Sequence, residues 1–199
     1  MIRTFFSLNI DINTKRKIKI VRDQIFEKFK SLEPECLKIL KWEDENNYHI
    51  TLFFIGDIDK VKLEEIESAF SEIGSDNIPL QIKLKTGKIN AFPNLSYPRV
   101  LILDVIDQSS SLDILSKEIN KCLLKFGFKS DKPFHPHITL ARVRRNKKIN
   151  LTLINDFSFP EIEFNVRNFS LMESRLSSSG AEHFLIRDFN FLTAGNKSK

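Results

Sequence analysis

Two histidines stand in identical tetrapeptides, His49-Ile50-Thr51-Leu52 and His137-Ile138-Thr139-Leu140. Side chains alternate between the two faces of a strand, so the histidine and threonine of each copy share one face and the aliphatic residues share the other. Isoleucine and leucine favour the core, which directs the polar pair toward solvent or a cleft. Two strand residues advance by about 6.6 Å, so an imidazole and a hydroxyl can converge on one small group.

Two such faces, brought together, would carry two imidazoles and two hydroxyls. One imidazole can take a proton from a nucleophile while the other protonates a leaving oxygen, because the ordinary pKa of histidine is about 6.5. Thr51 and Thr139 can donate hydrogen bonds to non-bridging phosphate oxygens, where negative charge must be held. The pattern therefore predicts chemistry on a phosphate with no metal and no cofactor, with His49 and His137 as the proton-transfer groups.

The two motifs differ five residues after the histidine, where Arg142 follows His137 and Phe54 follows His49. A guanidinium presents a fork that fits a phosphate, whereas phenylalanine offers only packing. We therefore expect one-sided charge stabilisation. Strict alternation would put Arg142 on the face away from His137, so we expect the second strand to bend or end before Arg142.

The elements that must position these residues repeat along the chain. Hydrophobic periodicity predicts strand, helix, histidine strand, helix and strand in the first half, over residues 4–10, a helix capped by Asn13-Thr14, the His49 strand, 59–73 and 78–89. The second half repeats this order over 100–105, 109–126, the His137 strand, a weaker helical piece at 150–157, and strands at 161–171 and 181–189.

This repetition predicts an α+β fold of two pseudo-twofold-related lobes, each an antiparallel sheet with outer helices, around a central cleft. The duplicated β-α-β-α-β motif occupies about 1–90 and 91–194 of a single domain, 1–194. We expect the polar residues 195–199 to form a flexible tail.

Composition narrows the partners. The 199 residues are 41% hydrophobic, which suffices for one compact core, and the net charge is +5. A basic surface attracts polyanions, although the net charge alone slightly favours a solvated, lysine-rich surface. The position of the densest basic run, directly after the second tetrapeptide, favours a nucleic-acid partner; the run consists of Arg142, Arg144, Arg145, Lys147 and Lys148.

The thiols and the lack of a long apolar run bear on location. Cys36 and Cys122 show no CxxC pairing, and the opening residues do not resemble an export signal. No run approaches the roughly 18 apolar residues that span a bilayer. We expect a monomeric cytoplasmic protein with reduced thiols and no membrane association.

Two other readings of the histidines stay open. A zinc site would use the His135–His137 pair with His49, but Pro136 separates the pair and Asn47 replaces the first histidine in the other half. A non-catalytic module that binds RNA ends or phosphorylated nucleotides would use the same polar faces without turnover.

Several other residues favour a structural role. Trp42 and Phe53 are more typical of a core than of base stacking, and His183 has no evident partner. Ser177-Ser178-Ser179-Gly180 reads as a polar hairpin loop, since no phosphate-binding glycine pattern surrounds it.

The flanks of both tetrapeptides carry a resemblance to a known family. The segment 132–142 contains the second HxTx motif with the lead-in Lys-Pro-Phe-His-Pro and a trailing arginine, and 40–56 contains the first. With Arg3-Thr4-Phe5-Phe6-Ser7-Leu8, the segment 91–100 and Glu173-Ser174-Arg175-Leu176, nearly the whole chain resembles the 2H phosphoesterases. Within these it is most similar to the bacterial and archaeal RNA 2′,3′-cyclic phosphodiesterases, also called 2′-5′ RNA ligase-like proteins.

The resemblance implies an activity and roles for residues. A member of this family would hydrolyse a 2′,3′-cyclic phosphate at an RNA 3′ end to a 2′-phosphomonoester, and members have also been linked to 2′-5′ joining of RNA ends. By this analogy His49 is the proton donor and His137 the proton acceptor. Thr51, Thr139 and Arg142 would hold the phosphate, with no metal or cofactor.

Overall fold

The computed structural model describes residues 1–71, 80–130, 132–176 and 181–191. The end of the predicted second helix, the predicted loop Ser177–Gly180 and the predicted tail 195–199 lie outside the described residues. The described helices are α1 (Ile12–Leu32), α2 (Glu35–Ile39), α3 (Lys60–Ser71) and α4 (Ser111–Leu124). The described strands are β1 (Ile2–Asn9), β2 (Leu40–Trp42), β3 (His49–Ile58), β4 (Ile82–Phe92), β5 (Val100–Ile106), β6 (His137–Val143), β7 (Glu163–Val166), β8 (Asn168–Leu176) and β9 (Ala181–Asn190).

The described strands form one antiparallel sheet, and its two halves are joined between β3 and β6 through a single residue pair. Its order is β7-β4-β5-β6-β3-β1-β8-β9, with β2 paired to β6. The two histidine strands, β3 and β6, meet at the pair Ile50–Ile138, and both of these side chains are fully buried. The predicted α+β fold is confirmed, with two antiparallel halves joined where the two tetrapeptides touch.

The two lobes do not coincide with the two repeats. Strand β4 comes from the first repeat but pairs with β5, while β8 comes from the second repeat and pairs with β1. The loop 93–99 is short enough for β4 and β5 to pair as antiparallel neighbours, the usual outcome for consecutive strands. The first repeat thus contributes β4 to the lobe of the second, and the second repeat contributes β8 and β9 to the lobe of the first.

Helix α1 covers one face of the sheet with the apolar stripe that its sequence predicts. Ile18, Val21, Ile25 and Phe29 are all buried. The predicted cap was wrong: Asp11 is the N-cap residue, and its carboxylate accepts hydrogen bonds from the backbone N–H groups of residues 13 and 14, each at 3.0 Å. A carboxylate also suits the positive end of the helix dipole.

Two elements of the second half differ from their predictions. The piece at 150–157 is only a 3₁₀ turn, Thr152–Ile154. The predicted strand 161–171 is divided at Arg167 into β7 and β8, which pair in different lobes. An apolar alternation that continues across both pieces cannot reveal that the chain passes from one lobe of the sheet to the other between them.

Both cysteines are free and buried, as expected for reduced thiols. None of the described helices has the length and apolar character needed to cross a bilayer.

Candidate active site

The histidine strands present their polar faces to a cleft on the sheet. In β3 and β6 the aliphatic residues of the tetrapeptides are buried, and the histidines and threonines are partly accessible. This confirms the faces predicted from strand alternation. A cleft of about 1020 Å³ is lined by His49, Thr51, Thr139 and Arg142, among others. His137 does not line this cleft; its ring lies 4.9 Å from that of Phe92, and its charge acts on His49.

Strict alternation would put Arg142 on the face away from His137, and a β-bulge in β6 prevents this. In β6, Thr139 pairs with Ile102 and Ala141 with Leu101, so Leu140 is one residue more than β5 can match. The alternation shifts by one at that point, and Arg142 joins the face of Thr139. The expectation that the strand bends is confirmed in this form, and the alternative that it ends there is wrong, because β6 continues to Val143.

The first motif has the same bulge. In β3, Thr51 pairs with Ser7 and Phe53 with Phe6, which leaves Leu52 unmatched. Phe54 therefore reaches the cleft, where its side chain is 51% exposed and the Arg3 guanidinium lies 4.8 Å from its ring centre. The equivalent positions after the two bulges thus hold a cation in one lobe and an aromatic ring in the other.

His49 and His137 are each oriented by a hydrogen bond from Nδ1 to the backbone carbonyl two residues earlier. Nδ1 of His49 lies 2.6 Å from the carbonyl oxygen of Asn47, and Nδ1 of His137 lies 2.7 Å from that of His135. A carbonyl only accepts, so Nδ1 carries the proton in each ring and Nε2 is left for proton transfer. Nε2 of His49 lies 3.1 Å from the hydroxyl oxygen of Thr51.

Burial favours the neutral form of both rings. Desolvation lowers the pKa of His49 to about 4, against the opposing hydrogen bond to Asn47, and the charges of His183, Lys15 and His137 lower it further. Desolvation also lowers the pKa of His137, with the Arg142 charge acting in the same direction and Asp104 opposing it. A bound anion would favour the protonated form of either ring.

A chain of polar contacts connects the two motifs. The Glu43 carboxylate lies 3.9 Å from Nε of Arg142 and accepts a hydrogen bond of 3.0 Å from the side-chain amide of Asn47. The backbone carbonyl of Asn47 in turn holds His49. The phosphate-binding candidate of one lobe and the histidine of the other are therefore positioned through one carboxylate.

His183 is a further imidazole that lines the cleft with His49, and sequence analysis assigned it no partner. Its ring packs against His49 at 5.1 Å and against Phe5 at 5.0 Å between centroids. Its pKa is lowered, mainly by desolvation. No local sequence motif predicts that His183 reaches the cleft, because its position depends on β9 pairing with β8, where His183 lies opposite Ser174.

The prediction that Phe53 and Trp42 belong to the core is confirmed for Phe53 and holds only in part for Trp42. Phe53 is buried in the core. Trp42 packs edge-on against Phe26 and also lines the cleft, so it contributes to the core and to the cleft wall.

The residues of the alternative zinc site are engaged otherwise. Nε2 of His135 lies 2.8 Å from the Asp104 carboxylate, and Nδ1 of His137 faces a backbone carbonyl. Among the described residues, no group of three or more histidine, cysteine, aspartate or glutamate side chains is arranged to hold a metal ion.

Comparison with known proteins places this geometry in a family. Residues 21–177 match the model of the 2′-5′ RNA ligase superfamily. RNA 2′,3′-cyclic phosphodiesterase of Aquifex aeolicus is 34% identical over 158 residues, which cover 77% of this chain and 83% of that protein. The enzyme of the same name from Archaeoglobus fulgidus is 30% identical over 190 residues, covering 94% of this chain and 99% of its own.

Solved structures share the fold. A crystal structure of a phosphoesterase superposes with a TM-score of 0.71 at 22% identity and covers 96% of this chain and 98% of its own. Escherichia coli LigT complexed with 3′-AMP superposes with a TM-score of 0.68 at 21% identity, over 96% and 98% of the two chains.

Proposed function

We propose, because the chain belongs to the 2′-5′ RNA ligase superfamily, that it hydrolyses 2′,3′-cyclic phosphate ends of RNA to 2′-phosphomonoesters. Two of its relatives over most of their length carry the name RNA 2′,3′-cyclic phosphodiesterase. The cleft is large enough for a terminal nucleotide, and its lining includes Arg142 and the hydroxyls of Thr51 and Thr139.

The reaction divides between the two imidazoles. Nε2 of His137 takes a proton from water as the water oxygen attacks phosphorus. The bond from phosphorus to O3′ breaks, and Nε2 of His49 gives its proton to O3′. The 2′ ester remains. His137 ends protonated and His49 ends neutral, so His137 must lose a proton and His49 must gain one before the next turnover. Thr51, Thr139 and Arg142 hold the non-bridging oxygens while negative charge builds up on them.

The observation that carries this proposal is the matched pair of Nδ1–carbonyl hydrogen bonds. Each fixes the tautomer of a histidine and frees Nε2, and each lies in the same tetrapeptide on the same sheet face. A structural histidine pair would gain nothing from leaving both Nε2 atoms free of backbone partners. Acid–base catalysis requires both.

Both motifs come from one chain, so a monomer suffices for this activity. We place it in the cytoplasm, because the free, buried Cys36 and Cys122 fit a reducing compartment.

The test is product identity. The purified protein, with EDTA present, should convert an oligoribonucleotide 2′,3′-cyclic phosphate entirely to the 2′-phosphate, and the His49→Ala/His137→Ala double variant should not. A 3′-phosphate product, or activity that disappears with EDTA and returns with a metal, would contradict the mechanism. If the RNA binds but stays intact, the non-catalytic binding module becomes the better description.

A further inference from the structure

A strongly basic loop follows the cleft residue Arg142 at the end of β6. We define the basic loop as residues 144–148 together with Arg99, which is bonded to it. Its five cationic side chains are all exposed, and within the described part of the chain none takes part in an ion pair; they are Arg99, Arg144, Arg145, Lys147 and Lys148. Like charges this close along the chain repel one another, and no ion pair among the described residues offsets that repulsion.

The backbone of the basic loop is held from two sides. The Arg144 N–H donates to the carbonyl of Ile39 at 2.8 Å, and its Nε donates to that of Lys38 at 3.0 Å. On the other side, an Arg99 guanidinium nitrogen lies 3.4 Å from the carbonyl oxygen of Lys147. Asn146 adopts a left-handed conformation with φ of 62°, which turns the loop sharply between these anchors.

The basic loop follows directly in sequence on the cationic residues of the cleft. Lys41 and Arg142 lie opposite each other in the β2–β6 pair, and both line the cleft. Arg144 comes two residues after Arg142, about 6.6 Å further along the extended chain. A track of cations thus leads from the phosphate-binding side of the cleft to the loop.

We propose that the basic loop is a second binding site, which takes the phosphodiester groups of single-stranded RNA immediately 5′ of the terminal nucleotide held in the cleft. This rests on the proposed function, and it means that the enzyme prefers an oligonucleotide end to a free cyclic mononucleotide. Cationic side chains on a fixed backbone bind successive phosphates and read no base.

An exposed aromatic ring beside the loop fits the same ligand. Tyr97 is 73% exposed and stands two residues before Arg99. The Asn94 side chain holds its backbone N–H at 3.0 Å. Proteins that bind single strands combine a basic track with an aromatic ring on which a base stacks. Tyr97 provides that ring.

The first experiment compares two substrates, a ten-nucleotide single-stranded RNA with a 2′,3′-cyclic phosphate end and the cyclic mononucleotide of the same base. In the variant Arg145→Gln/Lys147→Gln/Lys148→Gln, kcat/KM should fall about tenfold or more for the RNA and stay unchanged for the mononucleotide. The control, Lys117→Gln/Lys121→Gln/Lys125→Gln, removes the same charge from exposed positions on and just after α4. It should leave both substrates unaffected.

The second experiment measures binding of the same RNA to His49→Ala/His137→Ala protein as a function of salt. The logarithm of the binding constant falls linearly with the logarithm of the salt concentration, by about 0.7 per phosphate contact of a single strand. Replacing Arg145, Lys147 and Lys148 by Gln should therefore make this slope shallower by about 2. Tyr97→Ala should weaken binding without changing the slope, because stacking releases no counterions.

The outcomes separate the two proposals. Equal losses on both substrates, or equal losses in the loop and α4 variants, would overturn the second site. If wild-type protein hydrolyses neither substrate, the proposed function fails, and the salt slopes then decide whether the basic loop binds RNA.

Discussion

The hydroxyl oxygen of Thr51 lies 3.1 Å from Nε2 of His49. Because Nδ1 of this ring bears the proton, the neutral imidazole accepts from the threonine at Nε2. A protonated ring would instead donate from Nε2 to an oxygen of the substrate, and the hydroxyl would then be free to turn to the phosphate. The pair can thus exchange its mutual hydrogen bond for two bonds to the substrate.

The assignment of acid and base can be tested by changing the leaving group. His49→Ala and His137→Ala should each lower kcat by about 10²–10⁴-fold with an ordinary cyclic phosphate. With sulfur in place of O3′, the His49→Ala loss should shrink to less than about tenfold, because a thiolate, with a thiol pKa of about 8.5, leaves without a proton. His137→Ala should stay impaired. The opposite pattern of rescue would exchange the two roles.

Arg142 should act through its fork as well as its charge. Arg142→Lys should lower kcat/KM by about 10–100-fold and Arg142→Gln by more, because a point charge cannot replace two directed hydrogen bonds. Steady-state kinetics on the cyclic phosphate measure this. Arg167→Lys, at a side chain bonded to Gln81 outside the cleft, is the matched control and should be silent. Full activity in Arg142→Lys would mean that the guanidinium geometry does not matter.

The lowered pKa of His49 should make the fold sensitive to mild acid. Its pKa is about 4 in the folded protein and about 6.5 when unfolded. Between these values the unfolded chain binds more protons, so stability falls as pH falls from 6.5 toward 4, by on the order of 2–3 kcal/mol from this residue. Urea unfolding from pH 4.5 to 7 should show a shallower decline in His49→Gln than in wild type. Asn120→Ala, on α4 and outside the cleft, removes no titrating group and should keep the wild-type dependence of stability on pH.

His183 should tune the protonation of His49. In His183→Phe a ring still packs against His49 and Phe5, while the charge that lowers the pKa of His49 is gone. The pKa of His49 should rise, so more of this proton donor is protonated at a given pH, and the alkaline limb of the pH–kcat/KM profile should move to higher pH. Glu43, Arg142 and Lys15 also act on His183 and are unchanged in the variant.

Imidazole NMR titration measures this pKa without relying on turnover. His183→Ala, which loses the ring contact as well, should lower kcat in addition. Identical His49 titrations in wild type and His183→Phe would assign His183 to packing alone.

The sequence by itself determined the local chemistry. Strand alternation acts within a few residues, so the repeated tetrapeptide was enough to predict that His49 and Thr51 share a polar face and that His137 and Thr139 do the same. The periodicity of α1 likewise predicted its buried stripe, because the helical repeat follows directly from residue spacing.

The tertiary structure decided everything that depends on pairing between distant segments. The bulge at Leu140, which turns Arg142 into the cleft, exists because β5 lacks a matching residue, and no feature of β6 alone reveals this. The contact between His183 and His49 requires β9 to pair with β8, and β8 with β1. Strand register is a property of two segments at once, and single-segment periodicity carries no information about which partner a strand will have.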